Sequence, residues 1–429
     1  MCSFFWLKRR AGKGDATGTF GSLVIGLSYY AAGMGGWVLF AAPEVGAQFG
    51  LIGLLGYAIV CCLPMLLIIF LGPFIKLELE GQQAFALTDW VRMRFGRGFQ
   101  IYVSLVSLAY MAIFMCVELV TFASVFEKFA GIPTGHSVAA LSVLSCTVAG
   151  LGGLSTSLLS QAVQGTVCAA LLLSGVVYAL HAMPDFHGVH VDIDVSKSTT
   201  AVGSLFLAVT GAELMNMTEW QRVWSAKDPW SLKCGLIIAI CLVFCTISGL
   251  GIIGYLHGTS ATAFLDVMES GGLVPSVIMT VAILGLCTST VDALQQAAVS
   301  LISKSLQQRH ALFTIAAFCI LNATTALAAC YLSFSLMQLF LIADLLATCA
   351  AVPIFLGLFN FVTSRGAAAG CVSALITVFF FGLVHEGTVI GGLERFTVPG
   401  GLYATETLWL FSSAVAVSAF ITVAVSKLT

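Results

Sequence analysis

The chain reads as an all-α integral membrane protein of about twelve transmembrane helices, and three observations predict it. Of 429 residues, 59% are hydrophobic and 9% charged, with a mean hydropathy of +1.02; soluble domains carry about 25% charged residues. The apolar residues gather into runs of about 17–25, the length that crosses a bilayer. The basic residues also partition by side. With Lys8–Arg10 placed in the cytoplasm, fifteen of the 18 Lys and Arg fall in inside segments, and only Lys128, Lys197 and Arg395 fall outside. A missed or invented span would scramble that asymmetry.

Taken in order, the spans are about 18–42, 49–74, 98–127, 137–153, 157–183, 199–217, 231–256, 273–303, 311–331, 334–360, 367–384 and 404–426. The fourth is the weakest, because Gly150, Gly152 and Gly153 blur its end. Both termini lie inside. The longer connections are 75–97 and 218–230 inside, with 184–198, 257–272 and 385–403 outside. Phe85–Phe95 (FALTDWVRMRF) reads as a short amphipathic helix at the cytoplasmic surface. No separate soluble domain is visible. The first 17 residues are basic and polar, unlike a cleavable signal peptide. The 14 cysteines show no CxxC spacing, and Cys61, Cys62, Cys116, Cys146, Cys168 and Cys241 sit in apolar runs as small core residues. A net charge of −2 names no partner.

The first span carries the most information. LSYYAAGMGGWVLFAAP, from Leu27 to Pro43, places Gly33, Gly35 and Gly36 within four residues, each costing a helix about 1 kcal/mol relative to alanine. A helix broken at membrane depth frees backbone polar groups, which are tolerated only where they line a cavity or bind something. In secondary transporters that is the coupling ion and the solute. The sixth span (FLAVTGAELMNM) is interrupted at Thr210-Gly211, so spans one and six, entering from opposite sides, both carry breaks.

Four motifs then fall in order. Leu27, Ser28, Ala31, Met34, Gly36, Trp37, Leu39 and Pro43 form the first. Arg94-Phe95-Gly96 is the second, Gly152-Gly153-Leu154 through Gln164 the third, and Trp220-Gln221-Arg222 with Ala226-Lys227 the fourth. Together they resemble the solute:sodium symporter family over most of residues 20–305, through both its proline-transporting and its urea and polyamine branches. That resemblance implies a core of two inverted five-helix repeats, about 18–183 and 199–360, with accessory helices over 367–426. It also implies a Na⁺ site made by the hydroxyls of Ser289 and Thr290 and the carbonyls of Ala31, Met34 and Leu286. Oxygen ligands suit a hard cation. The plainer reading of Ser289 and Thr290 is back-bonding to the preceding turn. The sequence departs from the family where relatives are often acidic, at Gly33, Gln161 and Ser305.

The remaining polar residues at membrane depth are functional candidates because insertion of a charge costs about 2.5–3.5 kcal/mol. Glu118 faces the cavity and meets an amine, carries a proton, or bonds a neighbouring helix. Asp292, three residues after Ser289, lends charge to the ion site or accepts from a hydroxyl. Asp344 reads as a packing acceptor or a gate. Gly33, Gly35, Gly36, Trp37, Glu118, Gly211, Glu213 and Asn216 form the expected solute site, with Trp37 alternatively a packing residue. His187, His190, Asp192 and Asp194 form an external HxDxD, a weak cation site or a solvated loop. The sequons at Asn216 and Asn322 fall at membrane depth and are discounted.

The expectation is a secondary active transporter, not an enzyme, carrying a small polar organic solute by alternating access with Na⁺ as coupling ion. No other cofactor and no nucleic-acid partner is expected. The bilayer surrounds it, by default the plasma membrane, and the sequence does not specify the oligomeric state. The alternatives are a non-transporting nutrient sensor on the same fold and a proton-coupled or uncoupled permease.

Overall fold

The computed structural model describes residues 18–79, 86–151, 153–182, 194–258, 261–305, 311–332, 335–402 and 404–429. Lys8–Arg10, Lys13, Phe85, Gly152, His187, His190, Asp192 and Arg309 lie outside the described residues.

Every extended element among those residues is helical. In chain order they are α1 (Ser22–Gly33), α2 (Val38–Glu78), α3 (Leu87–Phe95), α4 (Arg97–Ala130), α5 (Thr134–Leu151) and α6 (Leu154–Ala182). Then come α7 (Val195–Glu213), α8 (Met217–Ser225), α9 (Pro229–His257), α10 (Ala263–Ser270) and α11 (Leu273–Ser305). The chain finishes with α12 (Ala311–Tyr331), α13 (Leu336–Leu356), α14 (Ser364–Glu386), α15 (Val389–Glu394) and α16 (Thr405–Leu428).

Nine described helices are long and apolar enough to cross a membrane, ten when the bent pair α7–α8 counts as one span. The expected twelve is not reached on that measure, for physical reasons. The first two expected spans share α2, whose helical backbone is interrupted at Gly50 (φ 59°, ψ −155°), a conformation open to glycine, so the rest of span one and all of span two count as one helix. The first half of span one, α1, has only twelve residues. α5, at 18 residues, is not among the nine.

The first predicted break is present, and the second falls later than expected: Thr210-Gly211 lies inside α7, and the helix is interrupted at 214–216 instead. α1 stops at Gly33 and α2 begins at Val38, while α7 and α8 meet at a 56° bend. Each freed end finds a partner, as buried backbone groups must. Trp37 Nε1 donates to the Gly33 carbonyl at 3.1 Å. Asn216 caps α8 by accepting from Thr218 N. Lys76 Nζ reaches the carbonyls of Val223, Trp224 and Ala226 at the other end of α8.

The second break differs from the sequence expectation in extent. Residues 218–230 were expected as a cytoplasmic loop, but all of Met217–Ser225 is buried helix. Arg222, counted among the inside basic residues, is 1% exposed. Its cost of burial is offset by partners described below.

Around the breaks, α1 packs on α9 and α6, α2 on α9 and α7, and α11 on α6 and α4. α2 and α9 approach so closely that a Cβ on Gly254 would meet the Pro43 carbonyl. The surface helix expected at Phe85–Phe95 is α3, with Trp90, Val91 and Phe95 packed inward. Arg94 fastens it to the carbonyls of Gly357, Phe359 and Val362. Asp194, the one described member of the HxDxD cluster, caps α7 through Ser196 N and Lys197 N. Cys62, Cys116 and Cys168 are buried as expected, but Cys241 faces outward; a thiol is apolar enough to meet lipid.

Candidate functional site

The two breaks hold three neighbouring constellations. The first joins α1 to α11. Ser289 Oγ donates to the Ala31 carbonyl at 2.7 Å and to Leu286 O at 2.8 Å. Thr290 Oγ1 donates to the same Ala31 carbonyl at 3.2 Å. Four oxygens of the expected ion site, from Ala31, Leu286, Ser289 and Thr290, are therefore gathered within hydrogen-bonding distance across two helices. Ser289 also shows the local back-bond that the plainer reading foresaw. Met34 ends α1 with its amide on the Tyr30 carbonyl at 2.8 Å.

The second constellation is a buried polar chain. Arg222 of α8 donates to Gln161 Oε1 of α6 at 2.6 Å and to the Ser28 carbonyl of α1 at 3.0 Å. Gln161 Nε2 donates to Asp292 Oδ2 of α11 at 3.2 Å and to Ser157 Oγ at 2.7 Å. Ser157 in turn donates to Asp292. An amide suits the middle place because it accepts from a guanidinium and donates to a carboxylate at once. The acid missing at position 161 thus has a counterpart one helix away, at Asp292.

Glu118 takes a third position. It is fully buried, and its Oε2 accepts from Gly36 N at 2.9 Å. A Cβ on Gly35 would collide with that carboxyl, and one on Gly36 would lie 2.6 Å from Cys287 Sγ. The glycines let the break close onto the acid.

A cavity sits beside these groups. Gly33, Met34 and Trp37 from the first break line it together with Glu213 and Glu219 from the second, and Asp344 enters from α13. Tyr29, Tyr57, Tyr110 and Phe340 supply aromatic surface, and among the described residues no Lys, Arg or His lines it. Glu213 is held by Tyr110 Oη at 3.1 Å and by Asn216 Nδ2 at 3.0 Å. Phe340 stacks edge-on against Trp37 and Phe114, centroids 5.3 and 5.2 Å away, and closes one side. The free volume is about 70 Å³, well below the roughly 300–1,000 Å³ of ordinary ligand pockets, so the walls part to admit an organic solute.

Of the expected solute set, Gly33, Trp37 and Glu213 line the cavity and Asn216 orients Glu213. Gly35, Gly36 and Glu118 meet at the first break instead. Gly211 lies against Thr348 of α13, where a Cβ would come within 2.6 Å of its Oγ1. Sequence reasoning missed Glu219, since its segment was read as loop. It also left Asp344 as a packing acceptor or gate, although Asp344 lines the cavity.

Two broken helices flanking an occludable cavity define a secondary transporter. The chain belongs to the sodium:solute symporter family, whose family model matches residues 15–386. It is 27% identical over 419 residues to the spermidine transporter DUR31 of Candida albicans, covering 91% of this chain and 78% of the relative. Its fold is similar to that of a Na⁺-coupled sialic acid symporter, with a TM-score of 0.74 at 13% identity over 99% of this chain and 94% of that one. It is also similar to the Eremococcus coleocola manganese transporter, with a TM-score of 0.64 at 11% identity over 97% and 99%. The protein is a multi-pass membrane solute symporter and not an enzyme.

Proposed function

We propose that this symporter carries a positively charged organic amine, with Na⁺ as the coupling ion. One observation carries the solute class: the cavity presents Glu213, Glu219 and Asp344 and, among the described residues, no basic side chain. A cation is the partner that best offsets carboxylates buried in a low-dielectric site, and aromatic faces favour cations further. The likeness to a relative named as a spermidine transporter supports an amine.

Na⁺ is assigned to the oxygens of Ala31, Met34, Leu286, Ser289 and Thr290, with Asp292 as the nearby anion. Supporting this are the cross-helix bonds of Ser289 and Thr290 to Ala31 and the family membership. Ion binding there would tie α1 to α11, linking cation occupancy to the position of a broken helix. The core repeats span about 18–183 and 199–360, with accessory helices over 367–426. The reading puts both termini in the cytoplasm and the protein in the plasma membrane.

A proton-coupled cycle is the second reading, favoured by Glu118, whose Oε1 is buried without a partner. A thermal-shift screen of the purified protein against amines, urea, proline and sugars, each with and without Na⁺, tests the proposal. Stabilisation by an amine that deepens with Na⁺ is expected. Stabilisation only by neutral solutes, or indifference to Na⁺, would overturn it.

A further inference from the structure

We infer that the groove between the first turns of α4 and α14 holds one acyl chain of an anionic phospholipid, with Arg365 at its mouth taking the phosphate. The groove shares no lining residue with the solute cavity, and the inference does not depend on which solute is carried.

Unequal side chains make the groove. Phe95 at the end of α3, with Phe99 and Tyr102 on α4, forms a row of rings whose successive centroids lie 5.0 and 5.9 Å apart. Opposite them α14 presents Ala368, Cys371 and Val372, spaced to share one helix face. Rings on one wall and short side chains on the other leave about 440 Å³ open. That is within the roughly 300–1,000 Å³ of ordinary ligand pockets.

Its position selects a lipid. Both α4 and α14 are long and apolar enough to cross a membrane, and the groove opens where they begin. Ala368 and Val372 are exposed, so the α14 wall faces outward rather than into the helix bundle. The lining runs along α14 from Ser364 to Val372, about 12 Å at 1.5 Å per residue. One leaflet of the hydrocarbon core is about 15 Å thick, so the groove has the reach of a lipid tail.

The charges at this end select an anionic headgroup. Arg365 is exposed, lines the groove and has no hydrogen bond or ion pair among the described residues. Arg94 is already committed to the carbonyls of Gly357, Phe359 and Val362. Arg92 and Arg97 are exposed on α3 and α4. Lys427 is exposed at the end of α16, which meets α14 through bonds of Thr363 to Ser426 and Thr429. The described acids nearby are occupied: Asp89 accepts from Ala86 N, and Glu78 from Trp90 Nε1. The first turns of α4 and α14 contain no acid, and their helix dipoles add positive potential. A guanidinium over an apolar slot matches a phosphate on an acyl chain. In the orientation proposed above, this end meets the cytoplasmic leaflet, where anionic lipids concentrate.

The test follows the unfolding midpoint of the full-length purified protein in neutral detergent micelles titrated with dioleoylphosphatidylserine, dioleoylphosphatidylcholine or inorganic phosphate. Wild type should reach half its stabilisation at about ten-fold less phosphatidylserine than phosphatidylcholine, the worth of one charge-assisted contact. Inorganic phosphate alone should have no effect. Arg365→Gln should erase that ten-fold preference, while Lys427→Gln, which removes a charge from the same end but not from the groove, should keep it within two-fold. Ala368→Phe fills the groove from an exposed position and should abolish the phosphatidylserine response. Equal effects of the two lipids on wild type would overturn the inference, as would phosphate alone matching phosphatidylserine. Equal losses in Arg365→Gln and Lys427→Gln would reduce the effect to surface charge, and an undiminished response in Ala368→Phe would remove the acyl chain from the groove; either result overturns it. The wild-type comparison needs no variant and decides the matter even where a variant does not fold.

Discussion

Gln161 makes the sharpest prediction because its amide spans two buried charges. It accepts from Arg222 at 2.6 Å and donates to Asp292 at 3.2 Å and Ser157 at 2.7 Å. Gln161→Leu removes both charge-assisted bonds, each worth about 1.5–3 kcal/mol. Arg222 keeps the carbonyls of Thr218 and Ser28, and Asp292 keeps Ser157, so the loss should fall near the lower bound, about 3 kcal/mol in sum. Gln161→Glu should cost a similar amount. A carboxylate there still accepts from Arg222 but cannot donate to Asp292, and it sets two anions together. Adding Asp292→Asn to Gln161→Glu restores one acid and one amide in reversed order and should recover at least half of the loss. The assay is a double-mutant cycle of unfolding free energies in mixed micelles, supported by the Na⁺ dependence of thermal stability. Additive effects in the Gln161→Glu, Asp292→Asn pair would refute the relay described between α6, α8 and α11.

Ser289→Ala and Thr290→Ala should each weaken Na⁺ by about ten-fold, one charge-assisted contact at about 1.5 kcal/mol, read as the Na⁺ concentration for half-maximal uptake; a change under two-fold would remove them from the ion site. Gly35→Ala drives a methyl group into the Glu118 carboxyl and should abolish transport, while Gly33→Ala, where a Cβ meets nothing within 4 Å, should retain most of it. Among the groups outside the spanning helices, burial alone would push the Asp266 carboxyl up, but hydrogen bonds from Lys128 and Thr262 and the Lys128 charge outweigh it and hold it below its usual range. A depressed carboxyl stabilises the fold above its unfolded pKa, about 3.9, and that contribution disappears as pH falls through the folded value. Asp266→Asn should therefore cost under about 1 kcal/mol at pH 7 and nothing at strongly acid pH, seen as unfolding midpoints that converge with wild type on acidification.

The first break was legible because glycine at membrane depth has few explanations, and Gly33, Gly35 and Gly36 stand together; the lone Gly211 misplaced the second, because it packs against Thr348 inside α7 rather than ending the helix. The approach of Ser289 and Thr290 to Ala31 was legible only through the order of the surrounding motifs, since small hydroxyls are common at helix contacts. Gln161, Arg222 and Asp292 were each visible as polar residues, yet their association needs three helices in register, which one-dimensional spacing does not encode. Glu219 was hidden by a boundary: the sixth span was ended at 217, so a buried half-helix passed as a loop. Asp344 gave no cue to its direction, because a lone acid in an apolar helix looks the same from the sequence whether it faces a neighbour or a cavity.

The central claim is a Na⁺-driven amine symporter, and gradient-driven uptake in proteoliposomes tests it most directly. Each positive charge entering a negative interior gains about 2.3 kcal/mol per 100 mV, so the membrane potential is clamped at zero to isolate the ion gradient. Labelled spermidine should accumulate above its external concentration under an inward Na⁺ gradient and run back down when that gradient is dissipated. Accumulation driven equally well by a pH gradient with Na⁺ balanced on both sides would contradict the account and move the coupling to Glu118.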